Sequence, residues 1–158
     1  MKRRIAILVT LFLMIIIFLF SSQPGQESYM ISDSFVIYLK RVPFIGQYAQ
    51  VYIRKFAHIA LYFILGIGMN IVLYITISNK KIFQSNILNY CVIPISSILL
   101  CFIYACTDEF HQTFVLDREG CFRDVMIDMV GVVIGTLVTM GILLVFAVIK
   151  RYIRNRKT

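Results

Sequence analysis

Charged residues are scarce in this chain of 158 residues. They make up 15% of the sequence, against about a quarter in a soluble globular protein. Hydrophobic residues make up 59%, and the mean hydropathy is +0.83. This composition excludes an ordinary soluble globule, and the length corresponds to a single domain over residues 1–158.

The chain also lacks any motif that reads RNA or DNA, although its 16 basic and 8 acidic residues give a net charge of +8. The basic residues stand in short clusters between long apolar runs, and no nucleic-acid-binding motif accompanies them. This distribution is typical of the flanks of membrane spans. We therefore predict the lipid bilayer, and no nucleic acid, as a partner.

Motifs that hold a metal ion are missing as well. The four cysteines form no Cys-x-x-Cys pair, and no His-Glu-x-x-His occurs. We therefore predict no metal and no cofactor. Cys91 and Cys101 lie in an apolar run and are interpreted as packing residues. Cys106 and Cys121 are predicted to share one membrane face, where a disulfide between them is an open alternative.

Four apolar runs predict an all-α polytopic membrane protein with four transmembrane helices. The spans cover about residues 5–22, 54–77, 87–107 and 125–149, since about 20 apolar residues cross a hydrocarbon core of ~30 Å. The first run is short and follows Lys2-Arg3-Arg4, as in a signal peptide. No small-x-small cleavage motif follows it, so we predict an uncleaved helix.

The distribution of charge orients these spans. The segments before span one, between spans two and three, and after span four hold ten basic residues and no acid. All eight acidic residues lie in the other two connections or at the span ends beside them. The positive-inside rule then places both termini in the cytoplasm of a multi-pass cell-membrane protein.

The connection between spans one and two has a helical pattern of its own. Apolar residues recur at helical spacing over residues 28–42, from Ile31 through Phe35 to Val42, with polar residues between them. This pattern predicts an amphipathic helix lying on the outer leaflet. Pro43 is expected to end it.

Polar residues gather at the outer ends of the spans. Arg54, His58 and Tyr62 recur every four residues and share one stripe of a helix. Asp108 is expected to share a face with His111 and Gln112, while Glu109 points elsewhere. Ionisable residues at such depths are expensive and typical of functional sites. The candidate site residues are Arg54, Lys55, His58, Tyr62, Asp108, Glu109, His111, Gln112, Arg118, Asp124 and Asp128.

The acids of span four lie at different depths. Asp128 lies one turn deeper than Asp124, where a carboxylate is costly without a partner. We predict that Asp128 pairs with Arg54 or Arg118 inside the bundle. Farther along the span, small residues at Gly131, Gly135 and Thr139 predict a close helix contact.

These residues together resemble the VanZ-like family over nearly the whole chain. The resemblance implies a small multi-pass membrane protein associated with resistance to teicoplanin and related lipid-bearing glycopeptides. The matching residues are Ser21-Ser22-Gln23-Pro24-Gly25, Arg54-Lys55-x-x-His58, Tyr62, Gly66, Asp108-Glu109-x-His111-Gln112, Arg118-x-Gly120, Asp124, Asp128, Gly131 and Gly135.

One short stretch departs from the family pattern. Leu116-Asp117 stands where such proteins usually have Pro-Gly before the arginine, and Glu119 follows Arg118 where a small polar residue is common. We therefore expect a different turn here. An acid on each side of Arg118 is expected to weaken anion binding by its guanidinium.

Three functions compete at this stage. The first is an envelope protein that binds a lipid-linked cell-wall precursor or a lipid head group through the outer polar pocket. The second is an intramembrane enzyme on a lipid-linked substrate, with His111 or His58 as general base and Asp108 or Glu109 orienting it. Arg118 would stabilise charge in the transition state, and a metal ion held by His111, Glu109 and Asp124 is a variant of this hypothesis. The third, a transporter, is disfavoured because no inverted repeat or broken helix is present and mid-membrane polar groups are not expected.

Overall fold

The computed structural model describes residues 1–24, 49–77 and 86–156, and these form four helices. No strand occurs among the described residues, which agrees with the predicted all-α class. We number the helices in chain order: α1 Lys2–Ser21, α2 Ala49–Ile77, α3 Asn86–Gln112 and α4 Phe122–Asn155.

All four described helices are long and apolar enough to cross a membrane, which confirms the four predicted spans. α3 continues through Gln112, so the acidic His-Gln motif forms its last turns. α4 begins at Phe122, which places Asp124 in its first turn and Asp128 one turn farther on. The amphipathic helix predicted over residues 28–42 lies outside the described residues.

The second helix is the centre of the bundle, since α2 packs against α1, α3 and α4. Large apolar side chains such as Phe12, Ile103 and Leu137 are exposed on the outside, as expected for helices that contact lipid. The core that joins the helices consists of Ile17, Tyr62, Leu65, Cys101, Ala105, Val125, Met129 and Val132.

Glycines bring α2 and α4 into backbone contact. A Cβ added to Gly131 would overlap the backbone carbonyl of Ile59, and one added to Gly135 would overlap that of Phe63. From the other side, a Cβ on Gly66 would lie 2.6 Å from the Val132 carbonyl oxygen. The close contact predicted from the small residues of span four is confirmed, and its partner is α2.

Polar side chains also lie deep within the bundle, contrary to the expectation of an apolar middle. Asn70, Ser97 and Thr136 are fully buried in α2, α3 and α4, respectively. The Asn70 amide Nδ2 donates to the Thr136 backbone carbonyl at 3.5 Å. Each of these residues is surrounded by apolar sequence, so a hydropathy average hides it.

The cysteines are all free thiols. Cys106 and Cys121 do line one small cavity beside Gly120, so the prediction that they share a face agrees with the structure. The alternative of a disulfide between them is not realised in it.

We predict that Gly135→Ala destabilises the protein by about 1–3 kcal/mol, because the new Cβ forces α2 and α4 apart. Gly141→Ala in the same helix is the control, since nothing lies within 4 Å of its added Cβ. We expect that control to be neutral or to gain up to ~1 kcal/mol from reduced backbone entropy. Unfolding in mixed detergent micelles measures both, and equal effects would contradict the close contact.

Candidate functional site

The last turns of α1 and α3 meet the first turns of α2 and α4 at one end of the bundle, which we call the polar end. Ser21 at the end of α1 contacts Asp108 near the end of α3. Near the start of α2, Lys55 contacts Asp124 in the first turn of α4. The predicted site residues therefore lie at one height.

A cavity of about 450 Å³ opens at the polar end, within the usual size of small-molecule sites. Seven of the predicted residues line it. Arg123 and Glu119, which are not among the predicted residues, also line it. The lining residues are Arg54, Lys55, His58, Glu109, Gln112, Glu119, Arg123, Asp124, Ile127 and Asp128.

His58 and Asp128 form the inner wall of this cavity. The His58 Nδ1 lies 3.7 Å from the Asp128 Oδ1. Asp128 is only 1% exposed, and its Oδ2 has no hydrogen-bond partner among the described residues. The predicted pairing of Asp128 with Arg54 or Arg118 is therefore wrong, and His58 is the residue in contact. Asp128 does face the bundle interior, as predicted.

Lys55 and Asp124 form an ion pair across α2 and α4, with the Lys55 Nζ 2.6 Å from the Asp124 Oδ1. Both side chains are about one-third exposed, so solvent limits the contribution of this pair to about 1 kcal/mol or less. The pair fixes the position of two pocket charges and partly neutralises both.

Glu109 faces the pocket together with Gln112. Its Oε1 accepts from the Gln112 Nε2 at 3.1 Å, and its Oε2 accepts from the Cys121 backbone N–H at 2.9 Å. The second bond ties α3 to the start of α4. The expectation that Glu109 points away from the face of Gln112 is therefore wrong. The donor that holds Glu109 on this face is the backbone N–H of Cys121, just before α4 begins.

Asp108 lies outside the cavity lining and joins three helices. Its Oδ2 accepts from the Ser21 hydroxyl at 2.7 Å and from the Tyr62 hydroxyl at 3.3 Å. All three residues are buried. Tyr62 and His58 stand one turn apart on α2, with ring centroids 6.5 Å apart. The stripe predicted on span two thus contacts two carboxyl groups: the Tyr62 hydroxyl donates to Asp108, and the His58 ring lies beside Asp128.

Arg118 bridges α3 and α1. Its Nη1 donates to the Gln112 Oε1 at 3.3 Å, and its Nη2 donates to the Phe20 carbonyl at 3.2 Å. The carbonyls at the end of a helix lack helical donors and carry partial negative charge, so a guanidinium stabilises them. Arg118 therefore holds the end of α1, and it does not line the cavity.

The turn before Arg118 has a left-handed residue. Asp117 has φ 58°, a backbone region that glycine favours and that aspartate tolerates better than most residues. The absence of glycine here predicts a different turn. Asp117 instead adopts a conformation that glycine would also take.

His111 lies apart from the pocket. Its ring packs against Phe18 of α1, with centroids 4.4 Å apart, and it does not line the cavity. Its expected grouping with Asp108 and Gln112 at one site is therefore not realised. Across the part of the chain that the structure describes, no group of three His, Cys, Asp or Glu is placed to hold a metal ion.

The comparisons with known proteins agree with this architecture. The family model described as VanZ/LLP1 matches residues 6–148, and that match spans all four helices. The chain belongs to the VanZ/LLP1 family. It is a VanZ-like protein whose four apolar helices are those of a multi-pass membrane protein. No curated protein and no solved structure matches it.

We predict that Ser21→Ala lowers the free energy of unfolding by about 1–3 kcal/mol, because it removes a donor from the buried Asp108 carboxyl. Ser22→Ala is the control, since within the described residues the Ser22 hydroxyl donates to the Phe18 carbonyl, which lies in α1 itself. Thermal unfolding in detergent measures both variants. Equal losses would show that Ser21 has no special role.

Proposed function

We propose that the polar end lies on the extracytoplasmic side of the cell membrane and that both termini are cytoplasmic. The charge asymmetry supports this orientation: Lys2-Arg3-Arg4 begins α1 and Lys150 lies toward the end of α4. Those ends carry no acid, whereas Asp108, Asp124 and Asp128 lie at the polar end. An excess of lysine and arginine marks cytoplasmic flanks.

We propose further that the pocket binds the polar head group of an envelope molecule, either a lipid-linked cell-wall precursor or a membrane lipid. One observation supports this most strongly. Seven charged residues and His58 line a single cavity, in a chain that has 16 basic and 8 acidic residues in all. Such groups are costly at a membrane boundary, and a polar ligand compensates them.

The chemistry of the lining indicates how a head group is held. Arg123 is exposed and forms no hydrogen bond or ion pair within the described residues, so its guanidinium is available for a phosphate or carboxylate. The Glu109 and Gln112 side chains are already fixed by hydrogen bonds. They therefore present a preorganised wall to the ligand, which lowers the entropy cost of binding.

Family membership supports a role in resistance to teicoplanin and related lipid-bearing glycopeptides. Binding of a head group at the outer leaflet would reduce the access of these drugs to the membrane surface or to a lipid-linked precursor. This role requires the pocket, and its effect should be selective for antibiotics that act at this surface.

We predict that deleting the gene raises susceptibility to teicoplanin at least fourfold, and that Arg123→Gln reproduces much of this loss. Arg154→Gln is the matched control, because it removes the same charge near the opposite end of the same helix. Minimum inhibitory concentrations are compared for teicoplanin, vancomycin and an antibiotic with an intracellular target. Equal shifts for all three drugs, or equal effects of the two substitutions, would contradict the proposal.

A second candidate function is supported by the His58–Asp128 contact. A carboxylate beside one imidazole nitrogen orients the ring and stabilises its protonated form, which is the arrangement of a general base. His58 lines the cavity, and in this function its imidazole would act on a water or hydroxyl at a bound head group. Arg123 would then stabilise negative charge that develops in the transition state.

The two functions differ in their response to His58→Gln. For an enzyme we predict a loss of turnover of about 10²–10⁴-fold, since a positioned general base contributes that much. A binding protein would keep most of its protective effect. His111→Gln is the control, because His111 lies against Phe18 outside the cavity. Purified protein in liposomes of bacterial envelope lipids is assayed for lipid turnover, alongside teicoplanin susceptibility of the same variants.

A further inference from the structure

The deepest carboxyl group of the pocket is incompletely satisfied. Asp128 lines the cavity and is 1% exposed, and its Oδ2 is buried without a hydrogen-bond partner in the described part of the chain. The other oxygen lies beside His58. A buried carboxylate oxygen without a donor is unfavourable, so this oxygen has the capacity to accept a hydrogen bond from a group that enters the cavity.

The neighbouring acids differ from Asp128 in this respect. Glu109 accepts hydrogen bonds on both oxygens, and Asp124 is bound by Lys55. These contacts fix both carboxyl groups to the protein. Of the two buried acids in the lining, Glu109 and Asp128, it is therefore Asp128 that has an oxygen left for a ligand.

The charge of the pocket favours a donor that is itself positive. Four acids face three basic residues in the lining: Glu109, Glu119, Asp124 and Asp128 against Arg54, Lys55 and Arg123. With the His58 imidazole uncharged, a purely anionic head group would meet a net negative wall. A head group with both a phosphate and an ammonium group would meet a partner for each.

We infer that the floor of the pocket binds a primary ammonium group through Asp128, while Arg123 at the mouth binds the phosphate of the same head group. This inference rests on the proposed binding function and specifies its ligand as zwitterionic. Arg123 and Asp128 are five residues apart on α4, a rise of about 7.5 Å along the helix axis. The phosphate and the amine are thus bound at different depths, and an ammonium supplies three N–H donors for the buried oxygen.

The test is native mass spectrometry of the purified full-length chain with lipids that share the same acyl chains. Phosphatidylethanolamine has a phosphate and a primary amine, its N-methylated forms lose one N–H donor per methyl group, and phosphatidylglycerol has no amine. We expect phosphatidylethanolamine to be retained about tenfold better than phosphatidylglycerol, because a charge-assisted hydrogen bond is worth about that factor. Retention should fall with each added methyl group, and this comparison needs no variant.

Asp128→Asn should abolish the preference for the primary amine. Asp117→Asn should keep it, because Asp117 lies outside the cavity lining and asparagine tolerates its left-handed backbone. Equal retention of phosphatidylethanolamine and phosphatidylglycerol by the wild type, or a preference that survives Asp128→Asn, would overturn the inference. A lysine-containing lipid-linked cell-wall precursor, compared with its N-acetylated form, is the second arm. If the free amine is preferred in only one of the two comparisons, that comparison identifies the ligand as the phospholipid or as the precursor.

The failure of the proposed function gives a different result. If Arg123→Gln weakens retention of all the phosphate lipids equally and the amine has no effect, the binding function stands and the zwitterionic ligand does not. If no lipid is retained above the level of an Arg123→Gln, Asp128→Asn double variant, the binding function itself is wrong.

Discussion

The close approach of α2 and α4 is the constraint on which the pocket depends. Gly131 presses against the Ile59 carbonyl, and Ile59 is the residue after His58. Asp128 lies one turn before Gly131 on the same helix, so this single backbone contact sets His58 opposite Asp128. Helices that approach this closely leave no room for a side chain at the contact. They can hold polar groups opposite each other just above it, and this is where the cavity opens.

The α2 stripe connects this contact to the rest of the bundle. His58 contacts Asp128 of α4, and Tyr62, one turn deeper, donates a hydrogen bond to Asp108 of α3. The Ser21 hydroxyl also donates to Asp108, which connects the end of α1 to α3. Four helices are thus tied at one height by two buried carboxyl groups. Each carboxyl keeps one oxygen without a partner in the described residues. Of the two residues, Asp128 lines the cavity, so only its oxygen is a candidate to bind a ligand there.

The sequence predicts the spans, the shared height of the polar residues and the glycine contact, because these depend on composition and on helical spacing alone. It does not predict which neighbour each side chain meets. His58 replaced the expected arginine at Asp128, because the rotation of α2 is set by packing against Gly131. Glu109 faces the pocket and His111 does not, which is the reverse of the expectation. Glu109 accepts from the Cys121 N–H and His111 packs against the Phe18 ring, and helical spacing does not predict contacts between different parts of the chain. Asn70 was missed because one amide hardly changes the hydropathy of an apolar run.

We propose that the pocket lies on the extracytoplasmic side, and cysteine labelling in intact cells tests this most directly. In a chain whose four native cysteines are replaced by alanine, Glu119→Cys reports on the polar end and Lys150→Cys on the opposite end. A membrane-impermeant maleimide should label Glu119→Cys in intact cells and Lys150→Cys only after lysis. Labelling of Lys150→Cys in intact cells, with Glu119→Cys protected until lysis, would place the pocket in the cytoplasm and contradict the account.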